Sequence, residues 1–229
     1  MKKLTLKKQG LVNRDFRHWP VHIVYREHGS LPWAAVKAIA ENMKAALEPL
    51  AHCYPGYQTP NHPDRRDYRV AVSQVRERYQ ETFDEALHRF KQSPMRFRDP
   101  AVQQEIINSW QFLARKYNLE VFLICVMSNH VHVLLMHREE DGCAAFKPIM
   151  TEHRRWVSRQ VKPLLECPSA QVWARGAFDR DVRPGTFWRV VNYILQNPIK
   201  ARIVTDPLAY SGTWINPKIL AELREMQWV

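Results

Sequence analysis

Two apolar runs, Glu120–Met127 and His130–His137, stand only two residues apart, and they limit what this chain can fold into more than any other feature. The first is rich in β-branched and aromatic residues; the second reads His-Val-His-Val-Leu-Leu-Met-His. Ser128-Asn129 between them is a polar turn, so the pair reads as an antiparallel hairpin in a buried sheet. Alternate residues of a strand point the same way. His130 and His132 therefore project from one face, while Val131 and Val133 point to the other, into the core.

The remaining chain is mostly helical in pattern. Trp19–Tyr25 reads as one more strand, closed by a Glu27-His28-Gly29 turn. Apolar residues at three- and four-residue steps predict helices from Pro32 to about Leu50, from Val70 to Phe90, and from Asp99-Pro100 to Tyr117. Residues 51–67, with three prolines, read as an irregular loop. A basic helix spans Lys147–Leu165, residues 166–184 are loop with a short segment, and a last helix runs from Thr186 to about Gln196, stopped by Pro198. Residues 1–18 read as a basic arm. This order of elements predicts an α+β fold with an antiparallel sheet, of about four or five strands with helices packed on one face.

Charge narrows the class of partner. Thirty-four Lys and Arg against twenty-three Asp and Glu leave a net +11 over 229 residues, which suits a polyanion such as nucleic acid. Cys53, Cys125, Cys143 and Cys167 form no C-x-x-C pair and read as reduced thiols, with Cys125 a core residue. The first ten residues carry lysines but no apolar h-region, and the longest apolar stretch, Val121 to Met127, is far too short to span a bilayer. The expectation is a soluble, cytoplasmic protein with no membrane partner.

Chemistry can reside in two places. His130 and His132, on one strand face, can hold a metal ion, or they can be structural. In the last helix Phe187, Val190, Val191, Ile194 and Leu195 make an apolar face, and Arg189, Tyr193, Asn197 and Lys200 a second stripe. Asn197 then offers either a third ligand oxygen or a C-terminal cap before proline.

Taken together the motifs resemble a known family. Met127-Ser-Asn-His-Val-His-Val-Leu-Leu135 resembles the HUH motif (His, hydrophobic residue, His) of the single-tyrosine HUH transposases. Tyr193-Ile-Leu-Gln-Asn-Pro-Ile-Lys-Ala-Arg-Ile-Val204 is similar to the nucleophile helix of their REP-associated tyrosine transposase branch. Val172-Trp-Ala-Arg-Gly-Ala-Phe-Asp-Arg-Asp-Val-Arg183 resembles the segment before that helix, and Asp206–Trp214 the branch's C-terminal extension. The matches come in the family's order over roughly 99–214, with a weaker one at Val21–Arg26. Ser128 stands where the branch has proline, and residues 35–98 are a helical excursion that the minimal core lacks.

The resemblance implies a single HUH endonuclease domain over 1–229, with a ferredoxin- or RRM-like palm, a helical insertion at 35–98 and an extension at 205–229. It implies Tyr193 as the nucleophile that forms a 5′-phosphotyrosine link, and His130, His132 and Asn197 as ligands of Mg²⁺ or Mn²⁺. The activity it implies is transposase-like cutting and joining of single-stranded DNA at REP-like hairpins, by a monomer, without a nucleotide cofactor. Arg154, Arg155, Arg159, Lys162, Arg180, Arg183 and Arg189 are candidate DNA contacts, as are Lys2, Lys3, Lys7 and Lys8 in the arm. Trp156 and Trp173 are candidate base-stacking platforms, whereas Trp110 and Trp188 read as core.

Other readings stand beside it. A histidine-triad nucleotide enzyme needs a further histidine where Leu134 stands, and is set aside. A nucleic-acid-binding module without catalysis, and a metal-dependent nuclease that hydrolyses with water, remain as alternatives.

Overall fold

The computed structural model describes residues 15–165 and 169–228. In chain order its elements are β1 (Asp15–Phe16), β2 (Val21–Arg26), α1 (Trp33–Leu47), α2 (Leu50–Cys53), α3 (Pro63–Arg89), α4 (Pro100–Lys116), β3 (Leu119–Val126), β4 (His130–His137), β5 (Ala144–Ala145), α5 (Phe146–Val161), β6 (Phe178–Asp181), α6 (Phe187–Lys200), β7 (Thr213–Ile215) and α7 (Pro217–Glu225). The fold is α+β. It forms two compact units, one built from the chain up to His28 and from Pro94 onward, the other from Gly29–Ser93.

In the first unit five strands form an antiparallel sheet in the order β6-β2-β4-β3-β7. The predicted hairpin is its centre: β3 and β4 pair from Leu119↔His137 to Val126↔Val131. One face buries Val21, Ile23, Tyr25, Val121, Ile124, Val131, Val133 and Leu135 against Ile106, Trp110 and Leu113 of α4 and Ile149, Val157 and Val161 of α5. The other buries Leu123, Cys125 and Leu134 against Val190, Val191, Ile194 and Leu195 of α6 and Ile219 and Leu223 of α7. A register shift between Val121 and Leu123 lets Val121 and Ile124, three residues apart, serve the same face.

Local chemistry sets the helix starts. Asp99 caps α4 by accepting from the Ala101 N–H at 2.9 Å, and Asn216 caps α7 by accepting from the Lys218 N–H at 3.0 Å. Each is followed by proline at the first helical position, where no N–H is needed.

Several expectations need correction. Helices cover both faces of the sheet rather than one, because β4 is apolar on both sides once Leu134 is counted with the histidines. The arm does not extend to residue 18: Phe16 is buried and β1 pairs with β5, while residues 1–14, with Lys2, Lys3, Lys7 and Lys8, lie outside the described residues. Helix α6 runs through Pro198 to Lys200. The proline falls in the last turn, where it disrupts little, and the Ala201 N–H closes that turn on the Asn197 carbonyl at 2.9 Å. The expected C-terminal extension, over its described residues 205–228, contributes to the sheet and the core. Tyr210 donates to the Val126 carbonyl at 2.8 Å, β7 pairs with β3, and a side chain at Gly212 would collide with the Val126 carbonyl.

The second unit is helical. α1 and α3 pack together, with α2 against α3. Residues 51–67 are more regular than expected, since α2 runs to Cys53 and α3 already starts at Pro63. The turn between them is held by Tyr57 stacked on Tyr68 at 4.2 Å and by the Gly56 N–H donating to Asp64 at 2.8 Å. Cys53 and Cys143 are exposed free thiols and Cys125 is buried; Cys167 lies outside the described residues.

The core beneath the sheet contains one polar knot. Trp110 Nε1–H donates to the Tyr25 hydroxyl at 2.8 Å, that hydroxyl meets His153 Nε2 at 2.7 Å, and Ser109 Oγ meets His153 Nδ1 at 2.9 Å. Burial, reinforced by the Arg154 charge, pushes the His153 imidazole down to about 3. The unfolded chain, with its histidine near 6.5, therefore binds more protons than the native state between those two values. Stability from this site is whole above 6.5 and falls, as pH drops towards 3, by about 1.4 kcal/mol per pH unit. Urea unfolding at pH 7 and pH 5 should show wild type losing roughly 2 kcal/mol more than His153→Gln; equal losses would show that His153 is not the group responsible.

Candidate functional site

The register of the sheet decides which side chains share the face that α6 covers. Val24 of β2 lies opposite His132 and Arg26 opposite His130, so His22, Val24 and Arg26 point to the same side as the two histidines. On the far side of β2, Arg180 of β6 lies opposite His22 and so joins that face. His22, His130 and His132 are all fully buried. The His130 and His132 ring centroids are 4.9 Å apart, and those of His22 and His132 5.3 Å apart, nearly parallel at 24°.

Each imidazole of the β4 pair is held through Nδ1. His130 Nδ1 meets the Asn129 carboxamide oxygen at 2.7 Å, and His132 Nδ1 meets His22 Nε2 at 3.1 Å. With Nδ1 so engaged, the nitrogen through which each can coordinate an ion is Nε2, and the two rings are close enough to share one. Two buried imidazoles on one strand face thus fit a divalent cation. Burial, and secondarily the Arg180 charge, hold the His22 imidazole well below its ordinary value, so it is neutral.

The turn that carries Asn129 and His130 is anchored from behind. Glu27 is buried at the end of β2; its N–H donates to the Asn129 carbonyl at 2.8 Å, and its carboxylate pairs with Arg96 Nε. Arg96 also donates from its backbone N–H to Glu27 at 3.2 Å and from Nη2 to the Gln171 carbonyl at 3.0 Å. The Phe97 N–H closes on the Ser128 carbonyl at 3.1 Å. Burial raises the Glu27 carboxyl above the usual carboxylate range, and Arg96 opposes that rise.

Helix α6 brings Tyr193 to the same place. Its ring stands edge-on to His132 and to His22, with centroids 6.2 Å away in each case. Lys200 Nζ lies over the Tyr193 ring, 5.1 Å from its centroid. Asn197 is buried one turn further on and donates from Nδ2 to the Tyr193 carbonyl at 2.9 Å, so the carboxamide oxygen is the atom it has left to offer a ligand.

The other sequence candidates scatter. Arg154, Arg155 and Arg159 sit on α5 and Lys162 in the turn after it, and α5 covers the opposite face of the sheet from His130 and His132. The Arg154 guanidinium is half-buried, donates to the Gly176 carbonyl and lies 5.8 Å from the Tyr25 ring centroid. Trp173 is buried among Phe97, Tyr25 and His153, which corrects its reading as a base-stacking platform. Trp156 is half-buried against the same core, and Trp110 lies within it. Trp188 packs against the α6 core and edge-on to Trp228. Arg183 precedes α6, Arg189 is exposed on it, and Arg180 is the candidate cation that reaches the histidine face. His22 escaped the sequence reading. A lone histidine in an apolar strand is a signal of sorts, but only the strand register tells which face, and which neighbour, it meets.

No family model matches the sequence, and no curated protein is similar to it. Among solved structures the chain is similar to a REP-associated tyrosine transposase bound to a REP hairpin, with 12% identity, a TM-score of 0.42, and coverage of 86% of this chain and 76% of that one. A likeness at that level carries neither function nor site residues across. No helix among the described residues is long and apolar enough to cross a membrane.

The Glu27–Arg96 pair gives a test of the anchoring. Removing one partner of a buried ion pair leaves the other charge uncompensated, so Arg96→Met should lower the unfolding free energy in urea by about 3–5 kcal/mol. Adding Glu27→Gln to that variant should recover part of the loss. A single-variant change within about 0.5 kcal/mol, as at ordinary surface positions, would show that the pair anchors nothing.

Proposed function

We propose that the chain is a metal-dependent tyrosine nuclease and strand transferase of the HUH transposase kind, acting as a monomer on single-stranded DNA beside REP-like hairpins. The observation that carries this reading is the convergence of Tyr193 with His130 and His132. These residues are some sixty positions apart, on different elements, yet the tyrosine ring stands 6.2 Å from that of His132 on one face of the sheet. A core-packing tyrosine has no need of two buried imidazoles beside it. The net charge of +11 and the placement of Arg180 on that face suit a phosphodiester substrate.

His130 and His132, through Nε2, and Asn197, through its carboxamide oxygen, are the residues that would hold the ion. An oxygen ligand with two imidazoles and open positions suits Mg²⁺ or Mn²⁺ better than a closed structural zinc set. When bound, such an ion supplies Lewis-acid polarisation of the scissile phosphate.

The chain's own groups do the rest. Tyr193 Oη attacks phosphorus, an Oη–P bond forms and the P–O3′ bond breaks. The phenol loses its proton and the leaving oxygen gains one, so the products are a 5′-phosphotyrosine and a free 3′-OH. Lys200, over the tyrosine ring, places positive charge beside the nucleophile as negative charge gathers on it. Arg180 supplies a cation to the phosphate. The covalent link retains the phosphodiester energy, so the 3′-OH of a second strand reseals it with no nucleotide cofactor.

The test is covalent capture. Labelled single-stranded hairpin DNA, incubated with Mn²⁺ or Mg²⁺ and run on a denaturing gel, should give an SDS-resistant adduct that disappears with EDTA and with Tyr193→Phe. Cleavage that leaves no adduct and persists in Tyr193→Phe would replace this reading with a hydrolytic nuclease. Tight, salt-sensitive binding without cleavage would favour a binding module. In the same assay format Arg180→Met should weaken binding to all sequences alike and reduce the slope of log affinity against log salt by about one; an unchanged slope would remove Arg180 from the phosphate contacts.

A further inference from the structure

We propose that His22 is a positioning residue of this site: by accepting the Nδ1–H of His132 it fixes the tautomer that leaves His132 Nε2 as the coordinating atom. The inference rests on the metal-binding reading above and adds to it a residue outside the His-x-His pair and the tyrosine helix.

The geometry comes from the central pair of strands. Val24 lies opposite His132, which puts His22, two residues earlier on the same face, diagonal to it. The rings stack at 24°, and His22 Nε2 lies 3.1 Å from His132 Nδ1. A neutral imidazole has one N–H and one lone pair, so a hydrogen bond between two of them needs a proton on one facing nitrogen and not on the other. If His22 were the donor, the neutral His132 ring would carry its own proton on Nε2 and could not coordinate through it. If His132 is the donor, its Nε2 keeps the lone pair.

The neighbouring ligand candidate supports the second arrangement. Asn129 presents a carboxamide oxygen to His130 Nδ1 at 2.7 Å, and an oxygen of that kind can only accept. His130 is therefore held as the Nδ1–H tautomer. The two histidines of β4 thus carry matching supports, a carboxamide oxygen for one and an imidazole nitrogen for the other. Partners of this kind, beyond the ligands themselves, set ring orientation and ligand basicity in metal sites. His22 does not itself count as a ligand through Nε2, because that nitrogen faces His132.

Two readouts test this, and neither is activity. In metal-free protein, ¹⁵N chemical shifts of the His132 ring should report the Nδ1–H tautomer in wild type, kept in His22→Gln, whose carboxamide oxygen can accept in its place, and lost in His22→Leu. Titration with Mn²⁺, followed by the EPR signal of the free ion, should show about 10- to 100-fold weaker binding in His22→Leu, most of it recovered in His22→Gln. An Nε2–H tautomer of His132 in wild type overturns the proposal, as does wild-type Mn²⁺ affinity in a folded His22→Leu. Should His22→Leu not fold, the wild-type tautomer decides. If wild type binds no Mn²⁺ while the tautomer behaves as expected, the metal reading of the function fails and the positioning role of His22 stands.

Discussion

The central strand β4 is buried on both faces, and the rest of the first unit follows from that. Its odd-numbered residues Val131, Val133 and Leu135 need apolar cover, which α4 and α5 provide. Its even-numbered residues include two histidines that water cannot reach, so their ring nitrogens must be met by protein or by a ligand. Leu134 then requires apolar cover on the histidine side as well, and α6 supplies it. In packing over Leu134, Leu123 and Cys125 the same helix brings Tyr193 next to His132. One strand thus sets both the core and the candidate site.

Rigidity around the histidines comes from partners other than the two histidines themselves. Glu27 and Arg96 tie the end of β2 to the turn that carries Asn129, and Asn129 holds His130. His22 holds His132 from the same strand, β2, whose other face contributes Tyr25 to the knot with Trp110 and His153. β2 therefore serves the core with one set of alternate residues and the site with the other. Arg180 in β6, opposite His22, keeps a positive charge on the site face and opposes protonation of His22.

Much of this was legible in the sequence, for identifiable reasons. Long periodic segments gave α4 and the β3–β4 hairpin nearly to the residue, because an apolar stripe or a two-residue alternation repeats often enough to outweigh local exceptions. The apolar face of α6 was also read correctly from Phe187, Val190, Val191, Ile194 and Leu195. Pro198 misled the placement of its end, since a proline in the last turn removes one hydrogen bond without stopping a helix held by packing. Short edge strands were missed altogether. β1, β5, β6 and β7 have two to four residues each, too few for a pattern, and exist because a neighbouring strand offers them hydrogen bonds. Basic residues on α5 and the indole of Trp173 were read by charge and ring type alone, which say nothing about the face they occupy.

The sequence by itself determined the class, α+β with an antiparallel sheet, the central hairpin, the face shared by His130 and His132, and the stripe that joins Tyr193, Asn197 and Lys200. Each of these follows from the fixed periodicities of strands and helices, which are local properties of the chain. The tertiary structure decided that α6 lies on the histidine face, that His22 and Arg180 join that face, and that Arg154 and Trp173 lie with the opposite one. Those outcomes depend on which strands pair and in what register. A shift of one residue in pairing would exchange every side chain between the two faces, and only the packed core selects among the alternatives.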